Sequence, residues 1–219
     1  MQVSDDMRLG LFGGTFNPIH IGHLRAAEEI REKIGLDRVV FIPSAIPPHK
    51  NIPLPITASD RLEMVRRAVA DNPFFEVSEV EIQRQGPSYT VETLQYFRKK
   101  RGPQTELFFI IGMDAFLEIN TWKSYGELFE LSHFVVLARP GSPHALGEFL
   151  AGHIASGYQH DPVKKRYCHQ ELRTVYFRDV TSLDISSTGI RGLVNRGSSI
   201  RYLVPKTVAE YIISKGKYR

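Results

Sequence analysis

Cysteine is almost missing from this chain. Among 219 residues there is one, Cys168. No intrachain disulfide can form, so burial and hydrogen bonding must hold the fold, and a reducing compartment suits that usage. Long apolar runs are missing too. None approaches the roughly 18 residues of a membrane-spanning helix, and residues 1–7 are too short and polar for a secretory leader. A cytoplasmic location is the expectation. Charge of one sign is also scarce. The 28 Lys and Arg against 24 Asp and Glu leave a net +4, too mild for the clustered basic face of a nucleic-acid binder. Neither nucleic acid nor a membrane is therefore expected as a partner. There are no internal repeats and no low-complexity tracts. What is present is 42% apolar residues, enough for a packed core at a length that suits one α/β domain.

Apolar runs and helical periodicity alternate along the chain. Residues 8–12, 38–43, 107–111, 134–138 and 175–177 read as buried strands, and residues 74–82 alternate like another. Helices are expected over 24–34, 59–70 (capped by Thr57 or Ser59), 90–100, 115–122, 187–195 and 207–214. Residues 44–55 form a proline-rich loop, and residues 144–173 read mainly as loop. Alternation of this kind predicts an α/β fold, Rossmann-like and doubly wound. A mainly parallel sheet would carry helices on both faces, with a small C-terminal helical part. Ligands of such sheets sit beyond the C-terminal strand ends. The residues to read are then those at 13–23, 47–50 and 112–114, with Arg139 and residues 186–191.

The densest of these segments is Gly13-Gly14-Thr15-Phe16-Asn17-Pro18-Ile19-His20-Ile21-Gly22-His23. It places a glycine turn and a helix start after a buried strand, where unpaired N–H groups attract an anion. His20 and His23 add side-chain donors. The positive end of the helix disfavours a charged imidazole and should lower both pKa values. Gly22 would let a flat base lie against the backbone. A second segment, Ile185-Ser186-Ser187-Thr188-Gly189-Ile190-Arg191, puts hydroxyls at a helix start and a guanidinium one turn in, suited to phosphate oxygens. Read alone, it is better explained by an ordinary helix cap. The spacings of His153, His160, Cys168 and His169 match no zinc pattern.

These two segments resemble the nucleotidyltransferase superfamily, and most closely its bacterial nicotinate-nucleotide adenylyltransferases. Ile46–Lys50 (IPPHK), Gly86–Leu94 (GPSYTVETL), Ile111–Asp114 (IGMD), Trp122-Lys123, Ala138–Gly141 (ARPG) and Tyr202–Pro205 (YLVP) support the resemblance in the same order. It implies one domain over residues 1–219, with about 184–219 as the helical part. It also implies transfer of AMP from ATP to nicotinate mononucleotide, giving deamido-NAD and pyrophosphate. His20, His23 and Arg191 would be catalytic. Gly13, Gly14, Thr15, Phe16, Gly22, Ser186, Ser187 and Thr188 would hold ATP. His49, Lys50, Ser88, Tyr89, Thr90, Asp114, Trp122, Lys123 and Arg139 would hold the mononucleotide. Main-chain amides of Thr90 and Lys123 would take its carboxylate, and Trp122 would stack on its ring. Mg²⁺ is implied as cofactor, held mainly by ATP phosphates with no protein metal site. A homo-oligomer is admitted without a defined state. Two alternatives stay open: another phosphorylated acceptor, such as nicotinamide mononucleotide or phosphopantetheine, or a nucleotide sensor without catalysis.

Overall fold

The computed structural model describes residues 7–47, 56–84, 86–138 and 143–219. Along the chain the elements are β1 (Arg8–Gly14), α1 (Ile21–Ile34), β2 (Arg38–Pro43), α2 (Ala58–Val69), β3 (Phe75–Val77), α3 (Val80–Gln83) and α4 (Thr90–Arg101). They continue with β4 (Glu106–Gly112), α5 (Met113–Phe116), α6 (Tyr125–Leu131), β5 (His133–Ala138) and α7 (Pro143–Phe149). The last are β6 (Gln159–Asp161), β7 (Arg166–Cys168), β8 (Val175–Asp179), α8 (Ser187–Asn195) and α9 (Lys206–Ser214). The arrangement is α/β with mainly parallel strand pairing, as the alternating pattern predicts. The residues gather into two compact units, each assembled from separate stretches of chain. One comprises Met1–Phe12, Ile30–Arg38 and Tyr89–Val180, the other Gly13–Glu29, Val39–Ser88 and Thr181–Arg219.

In the first unit β1 pairs parallel with β4, β4 with β5, and β5 with β8. These strands are continuous apolar runs because both their faces are covered. Leu9, Leu11, Leu107, Ile110, Phe134, Val135 and Val136 are wholly buried. An aromatic cluster of Phe116, Phe129 and Phe134 packs beside them, with ring centroids 4.7–6.2 Å apart. Beyond β8 the pairing turns antiparallel through β7 to β6. In the second unit β2 pairs parallel with β3. There α2 packs on α9, where Tyr211 donates to Asp60 at 2.8 Å and Arg67 lies 4.9 Å over the Tyr211 ring. Thr57 caps α2 in a reciprocal box with Asp60.

Three sequence expectations are corrected. The strand expected over 74–82 covers only Phe75–Val77. Ser78 N–H still reaches Phe41, and the chain then coils into α3. The helix expected over 115–122 is two pieces, α5 and a 3₁₀ turn at Ile119–Thr121. The Thr121 hydroxyl donates to Glu118 O at 2.7 Å, a local bond that competes with helix propagation. The span 144–173 is not mainly loop. It holds most of α7, a π-helical turn at Leu150–Ile154 and the β6–β7 ladder, and it buries Leu146, Phe149 and Leu150. Three of its histidines have separate aromatic partners: His153 stacks on Phe149, His160 on Tyr167, and His169 lies beside Tyr158.

Candidate active site

The segment 13–23 belongs wholly to the second unit. Gly13 and Gly14 end β1, and Gly14 O accepts from Ser44 N–H at 3.0 Å. A Cβ on Gly14 would stand 2.9 Å from the Phe16 ring, so only glycine lets that ring fold back. Phe16 adopts φ 46° and is buried against Phe41 and the edge of His23. Its ring is thus core packing.

His20 and His23 lie ring against ring, with centroids 3.6 Å apart and planes tilted by 30°. His23 Nδ1 accepts from the His20 backbone N–H at 3.2 Å, which assigns the proton of the neutral ring to Nε2. His20 is buried, and its Nδ1 meets no partner among the described residues. Burial pushes the His20 pKa down to about 4. His23 falls to about 3, first by burial and then by repulsion from His20. The direction matches the expectation, but the cause is removal from water rather than the helix end. At neutral pH the pair is two uncharged donors. Gly22 has a further reason to be glycine: its Cβ would press within 3.1 Å of His20 Nδ1.

The second segment is in the same unit and braces the first. Ser186 caps α8, accepting from Gly189 N–H at 3.1 Å. Ser187 Oγ donates to Pro18 O at 2.9 Å. Arg191 donates to Asn17 O at 2.7 Å and to Thr188 Oγ1 at 3.1 Å. The helix cap and the tie to the glycine turn therefore coexist. Thr188, Arg191, Lys215, Lys217 and Tyr218 line an open cleft of about 740 Å³ with a basic rim.

Sequence reasoning missed three residues that complete this packing. Tyr218 donates to Asn17 Oδ1 at 2.8 Å in a buried contact. Arg61, wholly buried, donates to Thr15 O at 2.8 Å and to Ala45 O at 3.0 Å. Glu29, also buried, accepts from Arg25 and from Thr181 N–H. A signal for Arg61 was available: it sits on the apolar stripe of α2, four residues before Val65. Nothing in the sequence marks Tyr218.

The residues expected to hold the mononucleotide divide between the units. Ser88 belongs to the second, where its hydroxyl accepts from Ala45 N–H and its N–H donates to Ile46 O, bracing that loop. Tyr89, Thr90, Asp114, Trp122 and Lys123 lie in the first. Thr90 opens α4 after Tyr89, whose side chain makes no capping bond. Lys123 Nζ pairs with Glu92 at 2.8 Å and stands 4.4 Å over the Tyr89 ring, which brings the 122–123 segment to the start of α4. Trp122 is half-buried, so it is not a core residue. Asp114 is exposed in the first turn of α5, whose N-cap is Gly112. His49, Lys50 and Arg139 lie outside the described residues. Among the described residues no group of three His, Cys, Asp or Glu could hold a metal ion, and no helix is long and apolar enough to cross a membrane.

A glycine turn, a neutral imidazole pair and a braced second helix start thus come together within one unit. Residues 11–193 match the cytidylyltransferase-like family, and the chain belongs to it. Its similar relatives narrow the kinship to one group. A Desulfatibacillum aliphaticivorans protein named "Probable nicotinate-nucleotide adenylyltransferase" is 48% identical over 219 residues, covering 97% of this chain and 100% of that one. A Citrifermentans bemidjiense protein of the same name is 50% identical over 213 residues, covering 97% and 98%. Among solved structures, Plasmodium falciparum nicotinic acid mononucleotide adenylyltransferase complexed with NaAD shares the fold. Its TM-score is 0.70 at 16% identity, covering 97% of both chains.

Proposed function

We propose that this protein transfers the AMP of ATP to nicotinate mononucleotide, releasing pyrophosphate and forming deamido-NAD. The observation that carries the reading is the uncharged His20–His23 pair, held by the same unit that ties α8 to the glycine turn. Relatives named for this activity match it along almost their whole length at 48–50% identity.

The acceptor's 5′-phosphate oxygen forms a bond to the α-phosphorus, and the bond from that phosphorus to the bridging oxygen breaks, so pyrophosphate leaves. Positioning and electrostatics suffice for such a transfer. Neutral imidazole N–H groups of His20 and His23 donate to phosphate oxygens as their charge redistributes. Gly13, Gly14, Thr15, Phe16 and Gly22 form the backbone cradle, with Ser186, Ser187 and Thr188 at the start of α8. Arg191, already anchored on Asn17, orients the phosphates beyond. Mg²⁺ suits a site whose described residues offer no carboxylate cage, since the phosphates themselves would hold it and it would neutralise the leaving pyrophosphate.

On the acceptor side, the N–H groups of Thr90 and Lys123 donate to the nicotinate carboxylate and Trp122 stacks on the ring. Tyr89, Ser88 and Asp114 shape that subsite, and Asp114 accepts from ribose hydroxyls. His49, Lys50 and Arg139 take the acceptor's phosphate. Pyrophosphate release from ATP and Mg²⁺ across a panel of acceptors tests the reading. Nicotinate mononucleotide should be strongly preferred. Preference for nicotinamide mononucleotide or phosphopantetheine would reassign the acceptor, and ATP binding without turnover would make the protein a sensor.

A further inference from the structure

Among the described residues Arg61 is the largest wholly buried side chain, and none of their acids pairs with its charge. Among the described residues its guanidinium donates to two neutral carbonyls, Thr15 O and Ala45 O. Its Nε meets no partner among the described residues. The neighbouring carboxylate, Asp60, is committed elsewhere: it takes Lys217 at 2.9 Å, Tyr211 at 2.8 Å and the cap of α2. Arg61 also stands in the first turns of α2, where the helix dipole disfavours a cation. Burial, an unfavourable helix end and the lack of a counter-ion all act against the charge. A protein that needed only two hydrogen bonds to these carbonyls could make them with a neutral donor.

We propose that Arg61 is a buried countercharge for the polyphosphate, a positioning residue that acts through the Thr15 carbonyl. The guanidinium lies behind the glycine turn and its field crosses a protein interior, where it is weakly screened by water or salt. A bound anion supplies the missing negative charge. The same fork ties Thr15 to Ala45, so the glycine turn and the loop after β2 are held to one rigid group. The proposal rests on the nucleotide site described above.

The experiment is calorimetric titration of wild-type protein, Arg61→Met and Arg61→Lys with adenosine, AMP, ADP and ATP. A countercharge predicts a loss in Arg61→Met that grows with ligand charge: small for adenosine, about tenfold for AMP and on the order of 10²-fold for ATP. Arg61→Lys keeps the charge and should restore most of that gradient while losing part of the loop bracing. If Arg61→Met does not fold, Arg61→Gln keeps an uncharged NH₂ donor group for the carbonyls and replaces it in the series. Equal losses for all four ligands, or no loss, would overturn the countercharge and leave the nucleotide site standing. Failure of the wild-type protein to bind ATP at all would overturn both.

Discussion

At the scale of single residues, the site works by fixing neutral donors rather than by storing reactive ones. His23 is locked in one tautomer by a backbone N–H, and His20 is pressed against Gly22. Removing either imidazole takes away one preorganised donor. We expect His20→Ala and His23→Ala each to lower kcat by roughly 10²–10³-fold with little change in melting temperature. Steady-state pyrophosphate release checks this, and near-normal turnover in both variants would exclude the pair from the chemistry. Gly22→Ala tests the packing beneath them. Its methyl would stand 3.1 Å from His20 Nδ1 and tilt that ring. Alanine is also the better helix former, so stability should hold or rise slightly while turnover falls about tenfold or more. A Gly22→Ala enzyme of normal activity would show that the ring has room to move.

At the scale of elements, what could be read from the sequence depended on whether an element is defined by its own residues. Helix α8 could be read to its ends because Ser186 caps it locally. The boundaries of α2 were also within reach, since Thr57 and Asp60 form their box across three residues. The β6–β7 ladder was not, because its short strands are defined by pairing, β6 with β7 and β7 with β8, rather than by their own pattern. Helix α5 was overextended because apolar spacing continues through Leu117 and Ile119 after the hydrogen bonding has changed. The histidine pair and Arg191 were visible in the motifs, whereas the Tyr218–Asn17 bond joins residues 201 apart and leaves no local mark. The start of α4 carries the prediction at this scale. A carboxylate only accepts hydrogen bonds, whereas an amide also presents an NH₂. If the Thr90 and Lys123 N–H groups read the nicotinate substituent, nicotinate mononucleotide should exceed the amide in kcat/KM by up to roughly 10⁴-fold. Trp122→Ala should weaken both acceptors in similar proportion, since stacking does not sense the substituent. Equal kcat/KM for the two acceptors in the wild-type enzyme would reject a carboxylate-reading subsite.

At the scale of the whole molecule, two buried histidines, His20 and His133, and the half-buried His23 couple stability to pH in both units. His20 and His23 belong to the second unit, His133 to the first. His133 lies against the Phe108 ring at 4.9 Å and accepts from Thr174 N–H through Nδ1. Burial lowers its pKa to about 4, although Glu106 pulls the other way and Arg173, Arg98 and Arg8 add to the fall. All three therefore sit below the ordinary value of about 6.5. The sign follows from proton uptake. Above 6.5 folded and unfolded chains are both neutral at these rings, and stability is full. As pH falls from 6.5 toward 4, the unfolded chain binds protons that the folded chain refuses, so stability drops over that window. At pH 5 the loss should be at most about 2 kcal/mol for His133 alone. Urea unfolding at pH 7.5 and pH 5 measures it. His133→Asn keeps an acceptor for Thr174 but cannot titrate, so it should flatten the dependence in the first unit while the second keeps its own. If the two units unfold in separate steps, each step should move to lower urea at pH 5, and the substitution should rescue only one of them. A wild-type midpoint that does not change between pH 7.5 and 5 would mean that these rings take up protons without unfolding.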